Sequence, residues 1–430
     1  MNLQKIEAKV YIEAYGCSAN LADAEIIAGL LKNSGFTIEK TPSEAELNII
    51  VSCTVKDATY QRMVTRVKNL TSLGKPMIVA GCMPKTSKDT ILKLNPRASL
   101  IGPNSVDKIV AVAKRTLSGE RVEELNGTYT KLLQPRVFRN PVVGIVQIAS
   151  GCLSACSFCQ VKIARGGLRS FDEHLILDEI RRFLRCGCRE IWLTSQDNGC
   201  YGMDRGGSLA DLLDKVSKIE GDFRVRVGMM NPTYIVRDIG RIVDVLKDVK
   251  FFKFLHIPVQ SGCNDVLADM RREYTREDFL EIARKARQKI PTLTLSTDII
   301  VGYPTEEEEC FRNTISLLEE VKPDVVNISR FSPRPGTKAA LLPQHPYEVV
   351  KRRSTILHRI VKAICLERNR IWLGWRGESL VDEKVKGARI ARNPSYKPIL
   401  ISDDAELGSY LEVEVNGASA ACLRGVVCQE

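Results

Sequence analysis

Three cysteines in one short loop, Cys152, Cys156 and Cys159, constrain this chain more than any other feature. They stand in Gly151-Cys152-Leu153-Ser154-Ala155-Cys156-Ser157-Phe158-Cys159, a C-x3-C-x2-C spacing that follows directly on the apolar run Val142–Ala149. A closed structural zinc site takes four ligands, and no fourth Cys or His lies within the usual roughly two to five residues. Three thiolates at this spacing can instead hold three irons of a [4Fe–4S] cube. The fourth iron is then open to a substrate or cofactor.

The loop opens a run of repeated units. Apolar segments recur at Val142–Ala149, Glu190–Ser195, Phe223–Met229, Phe251–Pro258, Leu293–Val301 and Asp324–Phe331, with amphipathic stretches between them. Six parallel βα units predict a partial barrel whose active site is built from loops at the carboxyl ends of its strands. An earlier run alternates in the same way. Lys9–Gly16, Leu47–Ser52, Pro76–Gly81 and Ala98–Gly102 read as strands, each followed by a helical stretch, and predict a small parallel α/β sheet. Residues Gly119 to Arg136 are polar and broken and read as a linker. After the basic helix candidate Tyr347–Arg370 the pattern changes to short strands separated by turn formers, which predicts a small antiparallel barrel. The fold class is α/β, in three expected domains: residues 1–125, 138–367 and 372–430. A length of 430 residues fits about three domains.

A second set of cysteines emerges from this layout. Cys17, Cys53 and Cys82 each fall just after a strand of the N-terminal sheet, and in an open parallel sheet such positions converge on one crevice. Three thiols there again make three ligands with an open position. Gly16 and Gly81 precede two of them and would let backbone approach a bulky cluster. The other eight of the 14 cysteines, including Cys200, Cys263 and Cys310, read as ordinary small residues. Without a secretion signal, cysteines are more often metal ligands or catalytic groups than disulfides. No apolar run reaches the roughly 18 residues needed to span a bilayer, and a cytoplasmic protein is expected. A net charge of +11 suits a polyanionic partner.

These segments together resemble the radical-SAM methylthiotransferases, most closely the archaeal and eukaryotic branch that acts on threonylcarbamoyladenosine (t6A) in tRNA. Gly16-Cys17-Ser18-Ala19-Asn20 with Ala24-Glu25, Ser52-Cys53-Thr54-Val55-Lys56 and Ala80-Gly81-Cys82 are similar to that family's three cysteine motifs. Ile191–Asp197, Arg226–Pro232, His256–Gly262 and Phe331–Thr337 are similar to its barrel motifs, and Ala391–Pro398 to its RNA-binding TRAM domain. Val51-Ser52 stands where the family usually has Asn-Thr. Cys200 and Cys263 stand where it usually has a small residue without a thiol.

The resemblance implies two [4Fe–4S] clusters, one on Cys152, Cys156 and Cys159 and one on Cys17, Cys53 and Cys82. It also implies S-adenosylmethionine on the open iron of the first. Phe158 would pack against cluster or adenine, Ile300 would be the adenine platform beside Gly302, and Gln196 would make a polar contact. The implied product is the 2-methylthio derivative of t6A at position 37 of a tRNA anticodon loop. A ferredoxin or flavodoxin would supply electrons. Phosphate contacts are expected from Lys351, Arg352 and Arg353, with Arg181, Arg182, Arg185, Arg359 and Lys362 as further candidates, and from Arg389, Arg392 and Lys397 in the tail. The competing readings are methylthiolation of isopentenyladenosine or of a ribosomal-protein aspartate, and a non-catalytic RNA-binding metalloprotein.

Overall fold

The computed structural model describes residues 8–54, 57–402 and 405–428; Val55 and Lys56 of the second cysteine motif lie outside the described residues. The N-terminal sheet has six parallel strands in the order Thr37–Glu39, Lys9–Ala14, Leu47–Ser52, Met77–Gly81, Ser99–Ile101, Glu123–Glu124. Every residue of Leu47–Ser52 is buried, as a central parallel strand covered on both faces must be. Leu47, Ile49 and Val51 pack with Ile26, Ile27 and Leu31 of helix Ser18–Asn33. Ile50 points the other way, to Met63, Val67 and Leu70 of helix Asp57–Thr71.

Six more parallel strands follow as two three-stranded sheets. One orders Arg224–Val227, Glu190–Thr194 and Val143–Gln147; the other orders Phe254–His256, Thr294–Val301 and Val325–Arg330. A bridge from Val225 to Phe251 connects them. Val143–Gln147 and Val325–Arg330 share no ladder, so the barrel is open along that seam, as the six-unit reading predicts. One continuous core, including Phe183, Phe223, Phe279 and Phe311, fills the space between strands and outer helices. The tail closes as a five-stranded barrel. Its pairings are antiparallel except Pro398–Ile401 with Leu423–Val427, which run parallel.

Two expectations need correction. The stretch read as a linker is built into the interior: Glu123–Glu124 edges the first sheet, Lys131 is fully buried on Asp23, and buried Arg136 pairs with Glu25 and Glu179. Four of the cations expected on phosphates have partners in the protein instead. Lys397 is 2% exposed, with Nζ 2.9 Å from Asp324 Oδ1 and 2.9 Å from Asn369 Oδ1. Arg392 pairs with Asp382 at 2.9 Å, and Arg389 Nε donates to the Ala405 carbonyl. Arg353 is buried against Glu306 at 3.0 Å and Glu308 at 3.2 Å. A desolvated cation is tolerated only where an anion compensates it, and Lys397, Arg392 and Arg353 each have one.

The tail is seated in the foot of the barrel, and so it is not the separable unit that its pattern predicts. Tyr396 lies between Phe252 and Phe254, with ring centroids 4.7 and 5.1 Å away. Arg226 stacks over Trp192, Phe254 and Tyr396, and the Lys253 N–H donates to the Pro394 carbonyl at 2.7 Å. Glu190 is fully buried at this junction. Burial first, and then Asp382 of the tail, push its carboxyl up to about 8.

Tyr396→Ala is expected to cost about 3 kcal/mol of stability, the order found for emptying a large aromatic site, read by chemical denaturation. A carboxyl raised as Glu190 is contributes fully below its ordinary value of 4.5 and loses that contribution as pH climbs through about 8. The melting temperature therefore falls between about pH 4.5 and 8, and Glu190→Gln flattens that fall.

Candidate functional site

The three cysteines of the loop leave the barrel's first strand through a turn that only glycine permits. Gly151 has φ +81°, and a Cβ there would collide with the Gly167 carbonyl. Gln196, from the end of the next strand, accepts the Gly151 N–H at 2.8 Å; its Nε2 is buried without a hydrogen-bond partner among the described residues. Asp197 beside it is 1% exposed. Its Oδ1 accepts the N–H groups of Gly199 and Asn231, each at 3.0 Å, and burial pushes its carboxyl up to about 6. Asn231 then donates to Ser154 Oγ at 3.1 Å, and Ser154 pairs with Tyr234 at 2.7 Å. Two strand-end loops thus brace the cysteine loop. Cys200 is a buried part of that bracing, with its thiol on the Asp197 carbonyl at 3.3 Å.

Sequence reasoning passed over Arg272. It is half-buried, lies 5.5 Å over the Phe158 ring and 5.8 Å over Tyr274, and has the sulfurs of Cys156 and Cys159 nearby. It sits among the many charges of Met270–Arg276, where no spacing distinguishes it. Burial pushes the Cys152 thiol up to about 12 and Cys159 up to about 11. Both are protonated at neutral pH until metal displaces the proton. Cys263 and Cys310, read as ordinary small residues, are paired with Cα atoms 5.0 Å apart, in the apolar cluster that includes Phe158 and Ile300.

The second set assembles at the carboxyl edge of the N-terminal sheet. Lys9–Ala14, Leu47–Ser52 and Met77–Gly81 are neighbouring strands, and Cys17, Cys53 and Cys82 come immediately or shortly after them. Gly16 has φ +102°, and a Cβ there would overlap the Cβ and Sγ of Cys53. Only glycine therefore lets Cys17 and Cys53 stand side by side. Asn20 pins the arrangement, donating to the carbonyls of Tyr15 and Ser52, each at 2.9 Å. Cys17 and Cys82 stand at the N-cap positions of helices Ser18–Asn33 and Met83–Thr86, and burial pushes the Cys82 thiol up.

The two edges face each other. Ser18 and Thr194 hydroxyls meet at 2.7 Å, Asn104 joins Ser150 at 2.9 Å and the Arg165 carbonyl at 3.1 Å, and Cys82 and Cys159 act on one another electrostatically. Between them lies a cavity of about 880 Å³. Thr54 and Ala58 of the first edge and Phe158, Cys159, Ile300 and Gly302 of the barrel all line it. Its size is within the ~300–1,000 Å³ of small-ligand sites. Asp298 in its wall is oriented from two sides, by Asn327 at 2.7 Å and His256 at 3.1 Å. At its rim Tyr347 is exposed, with the Arg330 and Lys351 charges each 5.8 Å from its ring. Lys351 is exposed and Arg352 is exposed on Glu308. Arg181 and Arg182 pair with Asp178 and Glu179, while Arg185, Arg359 and Lys362 are exposed.

Among the described residues no three His, Cys, Asp or Glu side chains close on a single metal ion. Each set offers three thiols and no fourth ligand, which is the donor chemistry of three irons of a cube. Half-buried Arg272 and buried Arg165, beside the sulfurs, fit an anionic cluster at each edge.

Residues 146–318 match the Radical SAM superfamily, and residues 9–102 match the Uncharacterized protein family UPF0004. Over 97% of its length the chain is 42% identical to a probable threonylcarbamoyladenosine tRNA methylthiotransferase of Pyrococcus horikoshii, 99% of which is covered. Over 97% of its length it is 35% identical to the threonylcarbamoyladenosine tRNA methylthiotransferase of Homo sapiens, 73% of which is covered. Among solved structures, a radical S-adenosylmethionine methyltransferase of Kitasatospora setae shares the fold. The TM-score is 0.58 at 14% identity, over 78% of this chain and 74% of that one.

Anaerobic loading with iron and sulfide is expected to give about eight irons, four per set. Cys53→Ala and Gly16→Ala are each expected to give about half, by iron assay. Full iron in Cys53→Ala would remove that residue from the site.

Proposed function

Because this chain belongs to the threonylcarbamoyladenosine tRNA methylthiotransferase family, we propose that it adds a methylthio group to C2 of t6A at position 37 of tRNA, with S-adenosylmethionine and two [4Fe–4S] clusters. One observation carries the reading: a single cavity is lined by Cys159 of one set and by Thr54, the chain neighbour of Cys53 in the other, so one bound base lies near both. Cys152, Cys156 and Cys159 would hold one cluster, and Cys17, Cys53 and Cys82 the other. When bound, the first cluster and S-adenosylmethionine supply a carbon radical, and the second supplies the sulfur to be methylated and transferred. An aromatic C–H without an acidic proton is a poor target for acid–base chemistry, which is why radical chemistry is needed.

The chain's own residues place the reactants. Phe158 and Ile300 make apolar walls for the cofactor's adenine, and Gly302 leaves room beside them. Gln196 braces the cysteine loop through its oxygen and keeps its amide nitrogen for the cofactor. Asp298 is held in one orientation by Asn327 and His256, and so offers a fixed polar contact. Thr54 and Ala58 close the opposite wall and exclude water.

A loop base turned out of an anticodon stem reaches such a cavity at modest cost. Tyr347, flanked by Arg330 and Lys351 at the rim, has the make-up of a stacking platform for single-stranded RNA. These three, with Arg352, replace Arg353, Arg392 and Lys397 as the expected RNA contacts. Leu153 and Ile163, exposed beside the cysteine loop, make an apolar surface for a small iron–sulfur or flavin electron carrier. No helix among the described residues is long and apolar enough to cross a membrane. The reading places the protein in the cytoplasm with its tRNA.

Nucleoside mass spectrometry of tRNA from cells lacking the protein tests the reading: the 2-methylthio form of t6A disappears and t6A accumulates. An unchanged profile would sink it. Arg330→Ala with Lys351→Ala is expected to flatten the log–log salt dependence of tRNA binding by about 1.4, at roughly 0.7 per lost phosphate contact. Tyr347→Ala is expected to weaken binding by about 1–3 kcal/mol.

A further inference from the structure

Helix Val161–Arg165 follows directly on the Cys152–Cys159 loop, yet its last side chain serves the other edge. Arg165 is 3% exposed. Its Nη2 donates to Asn20 Oδ1 at 2.7 Å and Asp23 Oδ2 at 3.3 Å. Beyond Asp23, the sulfurs of Cys82 and Cys17 stand close to its guanidinium. Its Nη1 is buried without a hydrogen-bond partner among the described residues. On the other oxygen of Asp23 sits Lys131, fully buried at 2.5 Å, with Gln147 Nε2 at 2.9 Å from that same oxygen.

The charges in this pocket do not balance. Arg165 and Lys131 carry two positive charges and Asp23 one negative charge, which leaves one buried cation over. Burial pulls the Lys131 ammonium down to about 8, while a guanidinium cannot shed its proton at all. An uncompensated buried charge costs several kcal/mol. The anion in reach is the sulfur site itself. A [4Fe–4S] core of charge 2+ on three thiolates nets one negative charge, equal and opposite to the excess.

On the reading of the preceding section, we propose that Arg165 is the charge partner and positioning residue of the cluster on Cys17, Cys53 and Cys82, with Nη1 donating to its sulfur. Through Asn20 the same guanidinium grips the helix that starts at Cys17. Through its backbone it is part of the helix that follows Cys159. It therefore sets both the electrostatics of the second cluster and its placement against the first. A cation and an N–H donor on cluster sulfur favour the reduced, more negative state and raise the reduction potential.

The test uses the full chain with Cys152, Cys156 and Cys159 all changed to Ala, so that only the second cluster loads. In that background Arg165→Gln shifts the midpoint potential in dithionite titrations to more negative values and alters the paramagnetic resonance of the reduced cluster. Arg165→Lys recovers part of the potential. Without iron the order of stability reverses: apoprotein carrying Arg165→Gln melts no lower than its parent, because the excess cation is gone, while the loaded protein melts lower. A purely structural arginine would lower both melting points alike. That outcome, or an unchanged potential with four irons retained, overturns the proposal. If Arg165→Gln fails to load, equal iron loss in Arg165→Lys overturns it, and retention in Arg165→Lys supports it. A parent that loads no iron would overturn the functional reading instead.

Discussion

Two parallel sheets from different parts of the chain must meet carboxyl edge to carboxyl edge, and a buried ion network centred on Asp23 holds them there. Asp23 comes from the first helix, Lys131 from the segment between the sheets, Gln147 from the first barrel strand and Arg165 from the helix after the cysteine loop. Burial raises the Asp23 carboxyl, but Lys131 and Arg165 outweigh it and hold the group below the usual carboxylate range. The network thus keeps its charge in the interior, and charge makes it directional: no other docking of the sheets satisfies the same four groups. The cavity and the facing cysteines depend on that docking.

The foot of the barrel is closed in a different way. There the contacts are mostly aromatic, with Tyr396 entering between Phe252 and Phe254 and Arg226 lying across the rings. Lys397 reaches Asp324, which Arg287 and Arg368 also approach. One end of the barrel is a polar seam shared with chemistry, and the other is a packed plug.

Much of this was legible in the sequence because it is local. Hydrophobic periodicity located the strands of both sheets, and the C-x3-C-x2-C spacing located one sulfur set. The second set was legible through topology, since parallel strands put their ends on one edge whatever their separation in sequence. The misses are residues whose role comes only from long-range packing. Arg353, Arg392 and Lys397 look like surface charges, because nothing nearby in sequence reveals the Glu306, Asp382 or Asp324 that receives each. Arg165, Arg272 and Lys131 are the converse: ordinary basic residues that the fold sets beside sulfur or carboxylate. Cys263 and Cys310 meet only because two barrel units adjoin.

The seating of Tyr396 also bears on how such a chain can be recombined. The tail has the outline of a cassette, a small closed barrel at one end of the protein, yet its plug is cut to a socket made by Phe252, Phe254, Arg226 and Trp192 on three different segments. A tail borrowed from another protein would bring its own plug to the wrong socket. The tail and the barrel therefore have to change together, and variation in one is readable only against the other.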